Sequence, residues 1–229
     1  ILGRNKVHWI ETTSSNNWFP TAQQIENIVR LNKNKNHLLF LNSPNNPSGT
    51  ICKNLNDLAN VAKKYNLLIL SDEIYSELSF SDECDSISNY NLEGTIISSG
   101  LSKWCGAGGW RIGCITFPEE LKHIKDMVRN VASETYTSVS TPIQFAAIKA
   151  YTEDHTQYLI NSRKILEIIA NYIHQELTEV KIKCQKPQGG FYMLCDFSNV
   201  IQKSNEISDG QSLCNKILKD TGFAMLPGS

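Results

Sequence analysis

The chain has 229 residues, a formal net charge of −1 at pH 7 and 41% hydrophobic residues, enough for one domain and part of a second. A charge so near zero offers no basic face, which argues against nucleic acid or an anionic membrane as partner. No apolar run is long enough to span a bilayer, and residue 1 does not open a signal peptide. The seven scattered cysteines (Cys52, Cys84, Cys105, Cys114, Cys184, Cys195, Cys214) hold no CxxC pair and read as reduced thiols of a cytoplasmic protein.

Taken in order, apolar strands alternate with amphipathic helices. Val7–Glu11 reads as a strand. Thr21-Ala-Gln-Gln24 has the spacing of a capping box and opens a helix with Ile25, Ile28 and Val29 on one face. A strand over Leu38–Leu41 runs into Asn42–Thr50, Asn-Ser-Pro-Asn-Asn-Pro-Ser-Gly-Thr. Pro47 drives Asn46 off the helical backbone, so its amide sits on an extended chain. Asn54 reads as the cap of a helix in which Leu55, Leu58, Val61, Ala62 and Tyr65 recur at helical spacing. Leu67–Leu70 is apolar throughout, as in a parallel strand buried on both faces, and leads to Ser71-Asp72-Glu73-Ile74-Tyr75.

Thr95–Ser98 is the next strand and leads to Lys103; Cys114–Phe117 is another. Pro118 then suits a first helical turn with Glu119 and Glu120 at the positive end, and Leu121, Ile124, Val128 and Val131 form the apolar face. Helices follow over Thr141–Tyr151 and Gln157–Leu177, the second with a core-facing stripe of Leu159, Leu166, Ile169, Ile173 and Leu177. Strands Lys181–Cys184 and Phe191–Asp196, a polar loop Ser198–Gly210, a helix around Gln211–Lys219 and a strand Phe223–Leu226 complete the chain. The pattern predicts an α/β fold with a mostly parallel sheet and helices on both faces.

Three stretches at strand ends carry chemistry. Ser98–Gly113 reads Ser-Ser-Gly-Leu-Ser-Lys-Trp-Cys-Gly-Ala-Gly-Gly-Trp-Arg-Ile-Gly. Lys103, past a strand end among small residues, loses ammonium hydration and becomes a nucleophile toward a carbonyl. The glycines let backbone approach a ligand, and Arg111 offers a forked cation for a phosphate. An amine nucleophile beside a phosphate clamp points to a phosphorylated aldehyde such as pyridoxal phosphate. Asp72 ends a strand and faces the crevice where open α/β sheets bind ligands. Each stretch alone also fits something plainer: a glycine-rich turn with a solvated lysine, a proline–glycine turn at Asn46, a helix cap at Asp72, a core ring at Tyr75.

Together and in this order, the Asn-Pro-Ser-Gly, Asp-Glu-Ile-Tyr and Ser-Lys…Gly-Trp-Arg-Ile-Gly stretches resemble the class I/II aminotransferases, fold-type I pyridoxal-phosphate enzymes of the aspartate aminotransferase superfamily. Pro187-Gln-Gly-Gly-Phe-Tyr192 and Leu226-Pro-Gly-Ser229 look like further landmarks of that family. The resemblance implies a type I fold in which 1–155 belongs to the large cofactor-binding domain. Residues 156–229 then form the inter-domain helix and part of a small α+β domain. It implies that Lys103 is the Schiff-base lysine and proton carrier. Asp72 pairs with the pyridine nitrogen, Tyr75 and Asn46 hold the phenolic oxygen, and Arg111 and Ser102 hold the phosphate. Many members carry serine three residues before the lysine, where this chain has Gly100, which bears on the phosphate contacts alone.

The resemblance also leads us to expect a family member that lacks its beginning, with a phosphate turn and a stacking ring, and its end, with a carboxylate-binding arginine. The implied reaction is transfer of an amino group between an amino acid and a 2-oxo acid, in a homodimer. A C–S lyase or ACC-synthase-like reaction would use the same residues. A non-catalytic cofactor-sensing or partner-binding module is the reading from another class. The loop Ser133–Thr141 has no Arg or Lys and so offers no cation to a second substrate carboxylate.

Overall fold

The structure is a computed structural model and describes residues 6–32, 35–81, 84–204 and 206–228. Its centre is a four-stranded sheet of β1 (Leu38–Asn42), β2 (Leu68–Asp72), β3 (Thr95–Gly100) and β4 (Gly113–Thr116), in that spatial order. β1, β2 and β3 run parallel, and β4 returns antiparallel beside β3. Helices α1 (Ala22–Leu31) and α2 (Leu55–Tyr65) precede and follow β1. Beyond β4 come α3 (Lys122–Thr135), α4 (Thr141–Thr152) and α5 (Thr156–Glu179). A two-residue antiparallel ladder, β5 (Lys183–Cys184) with β6 (Cys195–Asp196), is followed by α6 (Ser198–Ile201) and α7 (Gly210–Thr221).

The capping box forms as its spacing predicts. The Thr21 hydroxyl accepts from the Gln24 N–H at 3.2 Å, and the Gln24 side chain accepts from the Thr21 N–H at 2.9 Å. From there Ile25 and Val29 of α1 meet Leu55, Leu58, Ala59 and Ala62 of α2 and close over Leu39, Leu41 and Ile69 of the sheet. Asn54 occupies the cap position of α2, but its side chain turns away and donates to the Pro20 carbonyl at 3.0 Å. It thereby ties the entrance of α2 to that of α1.

Several expected elements differ. Residues 7–11 make no ladder, because a strand needs a neighbouring strand and none lies beside them among the described residues. Instead Ile10 packs against the α1–α2 core, and the Glu11 carbonyl accepts from the Gln24 side chain at 2.9 Å. β2 is fully buried at Ile69 and Ser71 and half-buried at Leu68 and Leu70, and on β1 Leu38 and Phe40 are 58% and 62% exposed. The stripe on α3 is buried only at Leu121, just before its first turn, while Val128 and Val131 are exposed. On α5 only Leu159 and Leu166 reach a core, and Ile169 and Ile173 are exposed. Amphipathic spacing specifies a helix face; it does not specify what packs there.

The late strands are shorter than the apolar pattern, because residues 185–192 leave the ladder for the sheet's strand ends. Residues 223–226 are extended without a ladder, and Ser198–Gly210 contains the short α6. Ser229, the last residue of the Leu-Pro-Gly-Ser landmark, lies outside the described residues. Among the described residues no helix is long and apolar enough to cross a membrane.

Leu58, 0% exposed between α1, α2 and the sheet, reports on this core. Leu58→Ala is expected to cost about 2–5 kcal/mol, read as a lower urea midpoint at unchanged slope.

Candidate active site

The parallel register sets Asn42, Asp72 and Ser98 side by side at the carboxyl ends of β1, β2 and β3. Residues paired across a parallel ladder point to the same face, so Asn42 and Asp72 project together. The Asn42 carboxamide joins two pieces of the site. Its nitrogen donates to the Asp72 carbonyl at 3.0 Å, and its oxygen accepts from the Asn46 N–H at 2.8 Å. Asp72 itself accepts from the Ile74 N–H at 3.3 Å. Burial holds its carboxyl above the ordinary aspartate range, against the opposing pull of that hydrogen bond and of the Lys103 charge.

Tyr75 follows within the same turn and is 4% exposed. Burial, with the neighbouring Tyr192 next, pushes its hydroxyl above the usual phenol range, while Asn46 pulls the other way. Glu73, between the two, turns elsewhere: its carboxylate accepts from Ser71 at 3.0 Å and Ser86 at 2.6 Å.

The segment Pro187–Tyr192 is pinned between two turns. Gly49 O accepts from the Gln188 N–H at 2.7 Å and the Gly189 N–H at 3.1 Å, while Leu78 O accepts from the Gly190 N–H at 3.0 Å. The Gln188 side chain accepts from the Ile51 N–H at 3.0 Å. Two glycines make this possible. A Cβ on Gly49, at φ +70°, would stand 2.5 Å from the Tyr192 carbonyl, and one on Gly189 would stand 3.1 Å from the Ser79 Cα. The segment delivers Phe191 and Tyr192 edge-on to the Tyr75 ring, with centroids 5.5 Å and 5.9 Å away.

Lys103 completes the group. β3 ends at Gly100, where a Cβ would press on the Gly113 Cα at 3.1 Å, so the chain can turn tightly against β4. Leu101, Trp104 and Ala107 anchor the turn in a second core with Tyr75 and Leu78. Lys103 Nζ then lies 5.5 Å from the Tyr75 ring centroid and 5.5 Å from that of Phe191, within cation–π range of both. An amine beside aromatic faces, with a half-buried carboxylate within its electrostatic reach, can condense with a carbonyl while the carboxylate pairs with a cationic N–H.

The structure therefore brings Lys103, Asp72, Tyr75 and Asn46 together. Arg111 is exposed, at φ +55°, and its guanidinium donates to the Gly108 carbonyl at 2.8 Å. Ser102 is half-buried and its carbonyl lies under Gly108, where a Cβ would stand 3.6 Å away. Ser102 and Arg111 are thus ends of one glycine-lined turn. Sequence reasoning passed over Asn42, Phe191 and Tyr192 as site residues. The Gly-Gly-Phe-Tyr run was a visible signal for the last two, whereas Asn42 differs from any other strand-end asparagine only through its register with Asp72. A groove of about 1020 Å³ lined by Asn17, Asn54, Glu167 and Gln188 contains none of the six expected residues. The site is a convergence of strand ends and shares with that groove only Pro187 and Gln188 of the Pro187–Tyr192 segment.

Two outcomes follow from this geometry. Gly49→Ala is expected to cost about 1–3 kcal/mol in thermal or urea unfolding, since both φ and the Tyr192 carbonyl oppose a methyl; an unchanged midpoint would show that the clamp tolerates displacement. For Asp72, the folded chain binds the carboxyl proton more tightly than the unfolded chain, whose value is near the ordinary 3.8. As pH rises past 3.8 the unfolded chain releases its proton first, and stability falls until the folded chain releases as well. Asp72→Asn is expected to be more stable than the parent at neutral pH, with the gap closing as pH is lowered toward 3.8. Equal urea midpoints at neutral pH would mean that the Lys103 attraction cancels the burial.

The model of the family described as aminotransferase class I and II matches residues 2–229. Aspartate aminotransferase of Bacillus sp. (strain YM-2) is 34% identical over 96% of this chain and 56% of its own length. The Thermotoga maritima aspartate aminotransferase is 29% identical over 100% of this chain and 57% of its own. A solved structure of a Thermus thermophilus aspartate aminotransferase double mutant superposes with a TM-score of 0.84 at 28% identity, over 96% of this chain and 55% of its own. The chain spans about half the length of the curated relatives it matches. From its motifs, its mixed sheet and this match along nearly its whole length, the chain belongs to the class I and II aminotransferase family.

Proposed function

We propose that the protein is a pyridoxal-phosphate-dependent aminotransferase that moves an amino group between an amino acid and a 2-oxo acid. The observation that carries this reading is the convergence of the Lys103 amine, the Asp72 carboxylate and the Tyr75 hydroxyl, with Asn46 within its electrostatic reach, at the strand ends of the sheet. The donor set fits the cofactor group by group. Asp72 is half-buried and held above its ordinary range, and a protonated ring nitrogen is a partner whose charge would offset that burial. The Tyr75 hydroxyl and the Asn46 carboxamide, within electrostatic reach of each other, are hydrogen-bonding groups suited to a phenolic oxygen. The turn from Ser102 to Arg111, with a guanidinium at one end and a hydroxyl at the other, suits a phosphate.

When bound, pyridoxal phosphate supplies an aldehyde that condenses with amines and a protonated ring that accepts the electrons left by a departing α-proton. The chain's own residues do the rest. The Lys103 amine would hold the cofactor through its aldehyde carbon and, when free, would serve as the base and acid that move a proton at the substrate α-carbon. Asp72 would hold the protonated ring nitrogen. Tyr75 and Asn46 hold the phenolic oxygen and set how readily the neighbouring nitrogen binds a proton. Trp104, Leu101 and Ala107 fix the turn that aims Lys103, so the amine reaches the reacting carbon without a search.

The partition into a cofactor-binding part at 1–155 and a second part at 156–229 stays within this proposal, as do a homodimeric assembly and a cytoplasmic location. Family membership supports the assembly, and the free thiols are consistent with the location.

The test is borohydride reduction of the protein incubated with pyridoxal phosphate, followed by peptide mapping. A pyridoxyl group on Lys103 is expected in the parent and absent in Lys103→Ala, which should also lose visible absorption from bound cofactor. An adduct of full yield in Lys103→Ala would overturn the assignment. Keto acid released together with the aminated cofactor when amino acids are added indicates aminotransfer, whereas ammonia, pyruvate or a ring compound indicates lyase or synthase chemistry.

A further inference from the structure

The β5–β6 ladder sets Cys184 directly opposite Cys195, with Lys183 opposite Asp196 beside them. Opposed residues of an antiparallel pair have Cα atoms about 4.5 or 5.5 Å apart, and both separations lie inside the range of about 4.4–6.8 Å that a disulfide accepts. Each thiol perturbs the titration of the other, the Cys195 thiol also donates to the Met193 carbonyl at 3.9 Å, and both are free and half-buried. Cys114, another cysteine in a strand, faces Ser99 instead.

The position of the pair gives it a consequence. Residues 185–194 leave the ladder at one cysteine and re-enter it at the other. They carry Gln188 and Gly189, which bind Gly49, and Phe191, which lies against Lys103. The ladder is two residues long, so little besides these two positions closes the neck of the loop.

We propose that Cys184 and Cys195 are a redox-sensitive pair whose disulfide clamps the neck of the loop that lines the candidate active site. The oxidant class is a low-molecular-weight disulfide such as oxidised glutathione. One cysteine thiolate attacks a glutathione sulfur, the glutathione S–S bond breaks, and one glutathione thiolate leaves. The second cysteine thiolate attacks the protein-side sulfur of the mixed disulfide, the Cys184–Cys195 bond forms, and the second glutathione thiolate leaves. The two cysteine protons end on the two glutathione thiolates, and two electrons pass from the protein to one glutathione disulfide. Burial, with the neighbouring Cys184, pushes the Cys195 thiol up to about 11, so the exchange is slow at neutral pH.

The experiment treats the full chain with excess oxidised glutathione in mildly alkaline buffer, blocks remaining thiols with an alkylating agent and maps tryptic peptides. Trypsin does not cut the Lys186–Pro187 bond, so both cysteines fall on the single peptide Cys184–Lys203. That peptide is expected unalkylated and lighter than its reduced form by the mass of two hydrogens. Cys195→Ser is expected to trap glutathione on Cys184, and Cys184→Ser to trap it on Cys195. Amide hydrogen exchange over 185–194 is expected to slow several-fold in the bridged chain. A doubly alkylated or doubly glutathionylated peptide, or a bridge to another cysteine, would overturn the pair. A bridge that leaves exchange over 185–194 unchanged would overturn the clamp.

Discussion

The parallel register of β1, β2 and β3 is the constraint on which the chemistry depends. Because paired residues of a parallel ladder point to the same face, one residue of slip would turn Asp72 to the side of Ile69 and Ser71, against the α1–α2 core. The core prevents the slip. Leu39, Leu41 and Ile69 are buried only when their strands stand in this register, so the apolar face of the sheet and the polar end of it are one decision. Asn42 makes the same point in hydrogen bonds, since it reads the height of Asp72 through one end of its carboxamide and of Asn46 through the other.

A second dependence is long in sequence and short in space. The turn after β1 and the turn after β2 do not by themselves enclose anything. The segment Pro187–Tyr192 fills the gap between them, pairing with Gly49 on one side and Leu78 on the other. Its rings bury Tyr75 and approach Lys103, and with the turn's own burial of Asp72 this raises the Tyr75 hydroxyl and the Asp72 carboxyl above their ordinary ranges. Burying a carboxylate without a full set of partners costs stability, which the large core of α1, α2 and the sheet offsets elsewhere. Strain of this kind, concentrated where three strand ends meet, is what a site tuned to pair with a cationic ligand requires.

The redox pair fits into the same arrangement. The two cysteines stand where the Pro187–Tyr192 segment departs from its own ladder and where it returns, so a bond between them would act on the segment that the strand-end turns hold at its tip. With that bond in place, base and tip of one loop would be held by different forces, a covalent one that responds to redox conditions and a hydrogen-bonded one that does not.

Asn46 and Tyr75 became candidates through the resemblance of their stretches to the family, whereas local chemistry was enough to read Lys103 and Asp72 as candidates, because each follows an apolar strand whose pattern depends on side-chain period alone. The capping box at Thr21 was legible for the same reason: its partners are three residues apart. What needed tertiary structure is whatever depends on a partner distant in the chain. Residues 7–11 have strand-like composition but no strand beside them, and α3 and α5 have apolar stripes that end exposed at Val131 and Ile173. Asn42 became a site residue through register and Phe191 through a clamp to Gly49, and neither relation exists before the sheet forms. The sequence by itself determined which residues are candidates for the chemistry and in what order they come. Only the folded sheet, whose hydrogen-bond register and buried face couple residues more than a hundred positions apart, decided which of them meet.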